Sequence, residues 1–179
     1  MKIVQTLMAV LALASAPASA QQPTAQEAPD WKGFEFLIGD FVGVGGGAPG
    51  NATGSTSLRP VMGGTVLERT NRADYPAAGG RPAFTHEDRL YLYRDPASNG
   101  VRGLYFDPEG HVILYRVSVD PAARRVQMVS DPIPGQPRYR FTYTSEKTDE
   151  FDTTFEIAPP DRPDQFAAYV GGKVRRVGK

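Results

Sequence analysis

Along most of this chain apolar and polar side chains alternate every second residue, in short segments closed off by glycine, proline, asparagine and aspartate. A period of two marks a strand with one wet face, because successive side chains of an extended backbone point to opposite sides. Tyr139, Phe141 and Tyr143 alternate with Arg140, Thr142 and Thr144, and Phe151, Thr153, Phe155 and Ile157 alternate with Asp152, Thr154 and Glu156. No long segment carries the 3.6-residue period of a helix. The pattern predicts an all-β protein.

Turns supply the ruler. Asp-Pro recurs at Asp95-Pro96, Asp107-Pro108, Asp120-Pro121 and Asp131-Pro132. Aspartate bonds the backbone two residues on and proline presets the first turn angle, so each pair is a turn with a mechanism. Reading outward from these turns predicts ten strands, at 40–46, 52–59, 64–73, 83–94, 100–107, 110–119, 124–131, 137–146, 149–158 and 165–176. Links this short make consecutive strands antiparallel neighbours, because a parallel crossover needs about a dozen residues or more. The expected topology is a ten-stranded antiparallel up-and-down meander, closed into a barrel because an open one leaves two long unpaired edges. A two-sheet sandwich is the alternative, and it needs longer return connections than this sequence offers. Ahead of the strands, Trp31, Phe34, Phe36, Leu37 and Ile38 form a dense apolar group that predicts one short helical turn, ended by Gly39. The segment Val112 to Val117 is apolar on both sides, which predicts that a terminal segment or another subunit covers its outer face.

Composition changes the picture mainly at the N-terminus. Lys2, the largely apolar stretch Ile3 to Ala14 and the closing Ala18-Ser19-Ala20 read as a secretory signal, 1–20, cut before Gln21. Residues 21–30 have the composition of a disordered leader, and 31–179 remain as a single domain, expected in the periplasm or secreted. The apolar stretch is shorter than the roughly 20 residues that cross a bilayer, and no later segment approaches even that length. No membrane span is expected. Twenty basic residues balance twenty acidic ones, which provides no bulk field for nucleic acid. The lack of cysteine excludes disulfides, thiolate metal sites, a cysteine nucleophile and haem attachment through C-x-x-C-H. Oligomeric state is left open.

Candidate chemistry is sparse. Gly43 to Gly50 is glycine-rich but lacks the Lys-Ser/Thr and the following helix of a phosphate loop, so it reads as a hairpin loop at a barrel rim. His86 and His111 are the two histidines, and with Asp88 they make a two-histidine, one-carboxylate metal set conceivable. No serine sits in a G-x-S-x-G turn. Strand tyrosines are accompanied by Arg89, Arg94, Arg102, Arg116, Arg138 and Arg140. Most of these arginines are expected outside, lying over rings; one turned inward beside a tyrosine hydroxyl would bind a carboxylate.

The stretch Phe36-Leu37-Ile38-Gly39-Asp40-Phe41-Val42-Gly43-Val44-Gly45 resembles the entry motif of the nitrobindin-like barrels, F-L-x-G-T-W-x-G-x-G, which leads from a helical turn into the first strand. Met62-Gly63-Gly64-Thr65-Val66-Leu67-Glu68 is similar to related exported bacterial barrels in the wider calycin group, with the lipocalins and fatty-acid-binding proteins. The resemblance implies a barrel with a central cavity. It does not carry over the haem, because the C-terminal strands, Gln165 to Lys179, hold no histidine to ligate it. No cofactor is therefore expected.

Ten strands enclose more space than eight, which are just filled by side chains or one small ligand. The first expectation is a barrel that binds a small, largely apolar molecule, lipid- or fatty-acid-like, in its central cavity. Candidate ligand-binding residues are Tyr139, Phe141, Tyr143, Phe151, Thr153, Phe155, His86, His111 and Tyr115; no catalytic or metal-ligating residue is assigned. A second is a cavity enzyme doing proton-transfer or hydrolytic chemistry, which requires His86 or His111 to face inward within reach of a carboxylate. A third is a filled barrel acting as an envelope interaction module.

Overall fold

The computed structural model describes residues 29–44 and 52–178. The expected signal, the leader up to residue 28 and most of the glycine-rich loop lie outside the described residues. The strands are β1 (Gly39–Val44), β2 (Thr53–Val61), β3 (Val66–Tyr75), β4 (Phe84–Arg94), β5 (Val101–Phe106), β6 (Val112–Asp120), β7 (Arg125–Ser130), β8 (Arg138–Thr144), β9 (Glu150–Ala158) and β10 (Ala167–Arg176). Every consecutive pair is antiparallel, and β1 pairs with β10, Phe41 opposite Arg176, to close the barrel. Closure leaves no free edge, and the sandwich alternative is excluded.

Three Asp-Pro turns form as their chemistry dictates. Ala97 N donates to Asp95 Oδ1 at 3.0 Å, His111 N to Asp107 Oδ1 at 2.9 Å and Ala123 N to Asp120 Oδ1 at 3.0 Å. Asp131 differs, because its carboxylate is taken by Arg102 and Arg116 on the outer wall. Arg102 and Arg116 hold that carboxyl below its ordinary range against the opposing effect of partial burial.

Consecutive antiparallel strands put their connections at alternate ends. One end receives the N-terminal segment, where Phe34 N bonds Trp31 O at 3.0 Å and Leu37 N bonds Phe34 O at 2.9 Å. These tight turns push Phe34, Phe36 and Leu37 into the barrel, where they meet Phe41, Leu58, Leu67, Leu92, Val126 and Phe151 as the main core. Long-range bonds hold the plug: Trp31 Nε1 donates to Gly64 O at 2.8 Å, and the Arg176 guanidinium donates to Ile38 O at 2.7 Å and to Phe36 O at 3.3 Å. Gly33 is required here. Its φ is +89°, and a Cβ at that position would stand 2.5 Å from Val119 Cγ1.

Two expectations are corrected. β3 starts at Val66 and not at residue 64, because Met62, Gly63 and Gly64 take positive φ in a 3-10 turn before the strand begins. The outer face of β6 is not covered among the described residues: Val112 and Leu114 are exposed. The N-terminal segment plugs the barrel's end instead, which overturns cover by that segment and leaves this face to the other cover the sequence offers, another subunit.

Candidate functional site

Moving along the barrel axis away from the plug, the interior changes character. Leu67, Leu90, Leu92, Val126 and Met128 are almost fully buried. Next comes a layer of charge. Arg69 of β3, 6% exposed, is paired with Asp88 of β4, 5% exposed, and donates to the Tyr143 hydroxyl of β8 at 2.7 Å. Asn71 Nδ2 donates to the other oxygen of Asp88 at 2.9 Å, and the Arg69 guanidinium lies 5.4 Å from the centre of the Phe141 ring. A void of about 10 Å³, the size of one water, is lined on its polar side by Arg69, Thr56 and Tyr143. The Arg69 Nε is buried without a partner.

Beyond this layer the inward side chains are only half-buried. Tyr139, Phe141, Phe155, Ile157, Ile113 and Thr153 point to the axis by strand parity, and each is only partly buried. Their register explains the wall: Phe141 sits opposite Phe155, Tyr139 opposite Ile157 and Tyr143 opposite Thr153. The Tyr139 and Phe155 rings stack at 5.8 Å, and Phe141 contacts both Phe155 and Tyr143. Phe151 lies a level below, buried against Phe36 and Phe41 beside the plug.

Both histidines stand at the open rim beside carboxylates. His86 Nδ1 is 3.1 Å from Glu109 Oε1, and its Nε2 is 3.6 Å from Asp88 Oδ2. His111 Nδ1 is 2.7 Å from Asp107 Oδ2, which also accepts from the Tyr105 hydroxyl at 3.3 Å. Burial works against ionisation of Asp107, yet the backbone and ring of His111 and the Tyr105 hydroxyl hold its carboxyl below the ordinary range. Asp107, Glu109 and His111 each offer a ligand atom within 4.8 Å of the others and could hold a divalent cation. Burial first, and the nearby carboxylates after it, push the Tyr105 hydroxyl upward. Burial does the same to Tyr115 and Tyr143, with Arg69 pulling the other way. These phenols remain donors at neutral pH.

Of the residues singled out in the sequence, Tyr115, Tyr139, Phe141, Tyr143, Thr153, Phe155 and His86 face one interior as their strand parity requires, Phe151 lies deeper in the core, and His111 sits exposed in the turn before β6. The sequence reading missed Arg69, Asn71, Asp107 and Glu109. Arg69 shares parity with Leu67 and Asn71 on one strand, a pattern available in the sequence, whereas the accompanying arginines singled out there bond on the outer wall: Arg102 and Arg116 with Asp131, Arg138 with Asp164, Arg140 with Glu156. Asp88, the carboxylate considered beside the histidines, is committed to Arg69, and Asp107 and Glu109 take that place. A larger cleft of about 430 Å³ lies outside the barrel beside the plug, against Lys32, Glu35, Phe36, Pro121, Arg124 and Arg176. What the geometry defines is a closed ten-stranded antiparallel barrel, plugged at one end by its N-terminal segment. No known family model matches the chain, and no curated protein is significantly similar to it.

Proposed function

We propose that this protein is an exported binding barrel, akin to the nitrobindin-like and other calycin barrels, that takes a small, largely apolar molecule into the open half of its interior. The observation that supports this reading is the aromatic wall of Tyr139, Phe141 and Phe155, inside a closed barrel yet only partly buried. Apolar surface that faces water from a concave position is the usual setting of a ligand site. Nile red, a neutral dye whose emission rises in apolar surroundings, is expected to bind saturably and with one-to-one stoichiometry. Thr153→Trp fills the space beside the wall and is expected to weaken that binding at least about tenfold while leaving cooperative unfolding intact. A dye signal that grows without saturation, or that ignores Thr153→Trp, favours the filled-barrel module.

Export belongs to the same reading. Protein recovered from the periplasm or medium is expected to begin at Gln21 on N-terminal sequencing; recovery of chain that still starts at Met1 argues against it.

The rim favours one second reading. Each histidine reaches a carboxylate, His86 to Glu109 and His111 to Asp107, and such pairs can take and return protons. In that case His86 acts as the base on a molecule seated against the wall. Turnover of a bound carbonyl compound that is lost in His86→Gln while Nile red binding persists is the result that separates an enzyme from a carrier.

A further inference from the structure

The charge layer at the barrel's centre decides what kind of head group the interior accepts. Arg69 is the one inward-facing arginine of that region among the described residues, and its charge is already answered by Asp88 from within the barrel. Two of its nitrogens are occupied, one by Asp88 and one by the Tyr143 hydroxyl, and its Nε is buried out of reach. The remaining groups that can be positive there, His86 and His111, each face a carboxylate of their own. Asp88, Asp107 and Glu109 therefore confront an entering molecule with three carboxylates against a single arginine. An anionic head would have to leave water for that surrounding.

Hydrogen-bond donors, by contrast, are left over. Among the described residues neither the Tyr115 hydroxyl nor the Tyr139 hydroxyl has a hydrogen-bond partner, although Tyr115 is only 3% exposed. Both side chains point inward by strand parity, from β6 and β8. Neither oxygen is sealed off within the protein, so a carbonyl that accepts from these hydroxyls replaces the water they otherwise bond.

We infer that the molecule this barrel takes carries a neutral hydrogen-bond acceptor as its head, an amide, ester or ketone carbonyl on an apolar body, and not a carboxylate. The body stacks on Tyr139, Phe141 and Phe155 while the carbonyl accepts from Tyr115 and Tyr139. Asp88 thus acts as a built-in occupant of the position that a fatty acid's carboxylate would otherwise fill beside Arg69. This rests on the binding reading above and narrows the lipid- or fatty-acid-like class to its neutral members.

The test is displacement of Nile red from the mature protein near neutral pH by decanamide and by decanoate, which share chain length and differ in head group. Decanamide is expected to displace the dye at a concentration at least about tenfold lower. Tyr115→Phe and Tyr139→Phe remove hydroxyls that bond no other described group, so folding is expected to hold, and each should erase several-fold of the amide's advantage over decanoate when both are measured against that variant's own Nile red affinity. Asp88→Asn leaves Arg69 uncompensated, and decanoate is then expected to raise the melting temperature of that variant and not of the parent. Decanoate equal to or better than decanamide on the parent protein overturns the inference and leaves the binding reading intact. So does an amide preference unchanged by both tyrosine substitutions. If Nile red itself fails to bind, the binding reading falls first.

Discussion

Asp88→Ala is expected to cost the fold about 3 to 5 kcal/mol, read as a lower urea midpoint, although no apolar contact is lost with it. The reason is what stays behind. Arg69 is buried, pushed above even its ordinary basicity by Asp88 and Tyr143 against the opposing effect of burial, and among the described residues it pairs with no second carboxylate. Asn71 would lose its acceptor as well. The paired replacement Arg69→Met with Asp88→Leu removes both charges and fills similar volume, so it is expected to recover most of the loss. If the single variant is as stable as the parent, water reaches Arg69 freely and the layer is not a closed floor. If the paired replacement is as damaging as the single one, the network contributes net stability beyond mutual neutralisation.

Phe41→Ala is expected to lose about 3 to 5 kcal/mol, while Phe141→Ala loses under about 2 kcal/mol. The two rings belong to the same interior but to different halves of it. Phe41 is 2% exposed, in contact with Phe151 at 4.7 Å between ring centres and capped by the Arg176 guanidinium at 4.5 Å, so its removal leaves a cavity that the plug cannot collapse into. Phe141 touches Phe155, Tyr143 and Arg69 and is only partly buried, so truncation there exposes less that was dry. Equal losses at the two positions, measured by chemical denaturation, mean that the open half is packed core and that no small molecule enters it.

Much of the fold is legible in the chain because its determinants are local. Asp95, Asp107 and Asp120 make their turns with residues two to four positions away, so the turns need nothing from the rest of the molecule. The breakers between the remaining strands act over similarly short distances, and the strand boundaries follow within a few residues. One such two-residue shift has a visible cause at Met62-Gly63-Gly64, where positive φ angles delay β3, a backbone requirement that the composition of a strand does not reveal. The apolar wall is legible for the same reason, since Tyr139, Phe141 and Tyr143 must share a face whatever they pack against.

The site is legible only in part. Alternation says which residues go together but not which way they face, because shifting a strand by one residue turns every side chain over. β6 shows the ambiguity: Tyr115, Ile113 and Val117 face the interior, and Val112 and Leu114 meet solvent, although both sets are apolar. An arginine in the middle of a strand likewise reads as surface, and Arg69 is not.

The sequence by itself determined the all-β class, the ten antiparallel strands and their order around the barrel, because short turns leave consecutive strands no other neighbour. It also determined the composition of the aromatic wall. Tertiary structure alone decided that Arg69 meets Tyr143, 74 positions away along the chain, that Asp88 neutralises it, and that Glu109 comes to His86 across a hairpin. It also decided which end of the barrel the Trp31 to Ile38 segment stops and which is left open to water. Those meetings depend on barrel closure and register, which bring together groups whose pairing no local pattern encodes, and the energy of a buried charge is set by the partner it finds there.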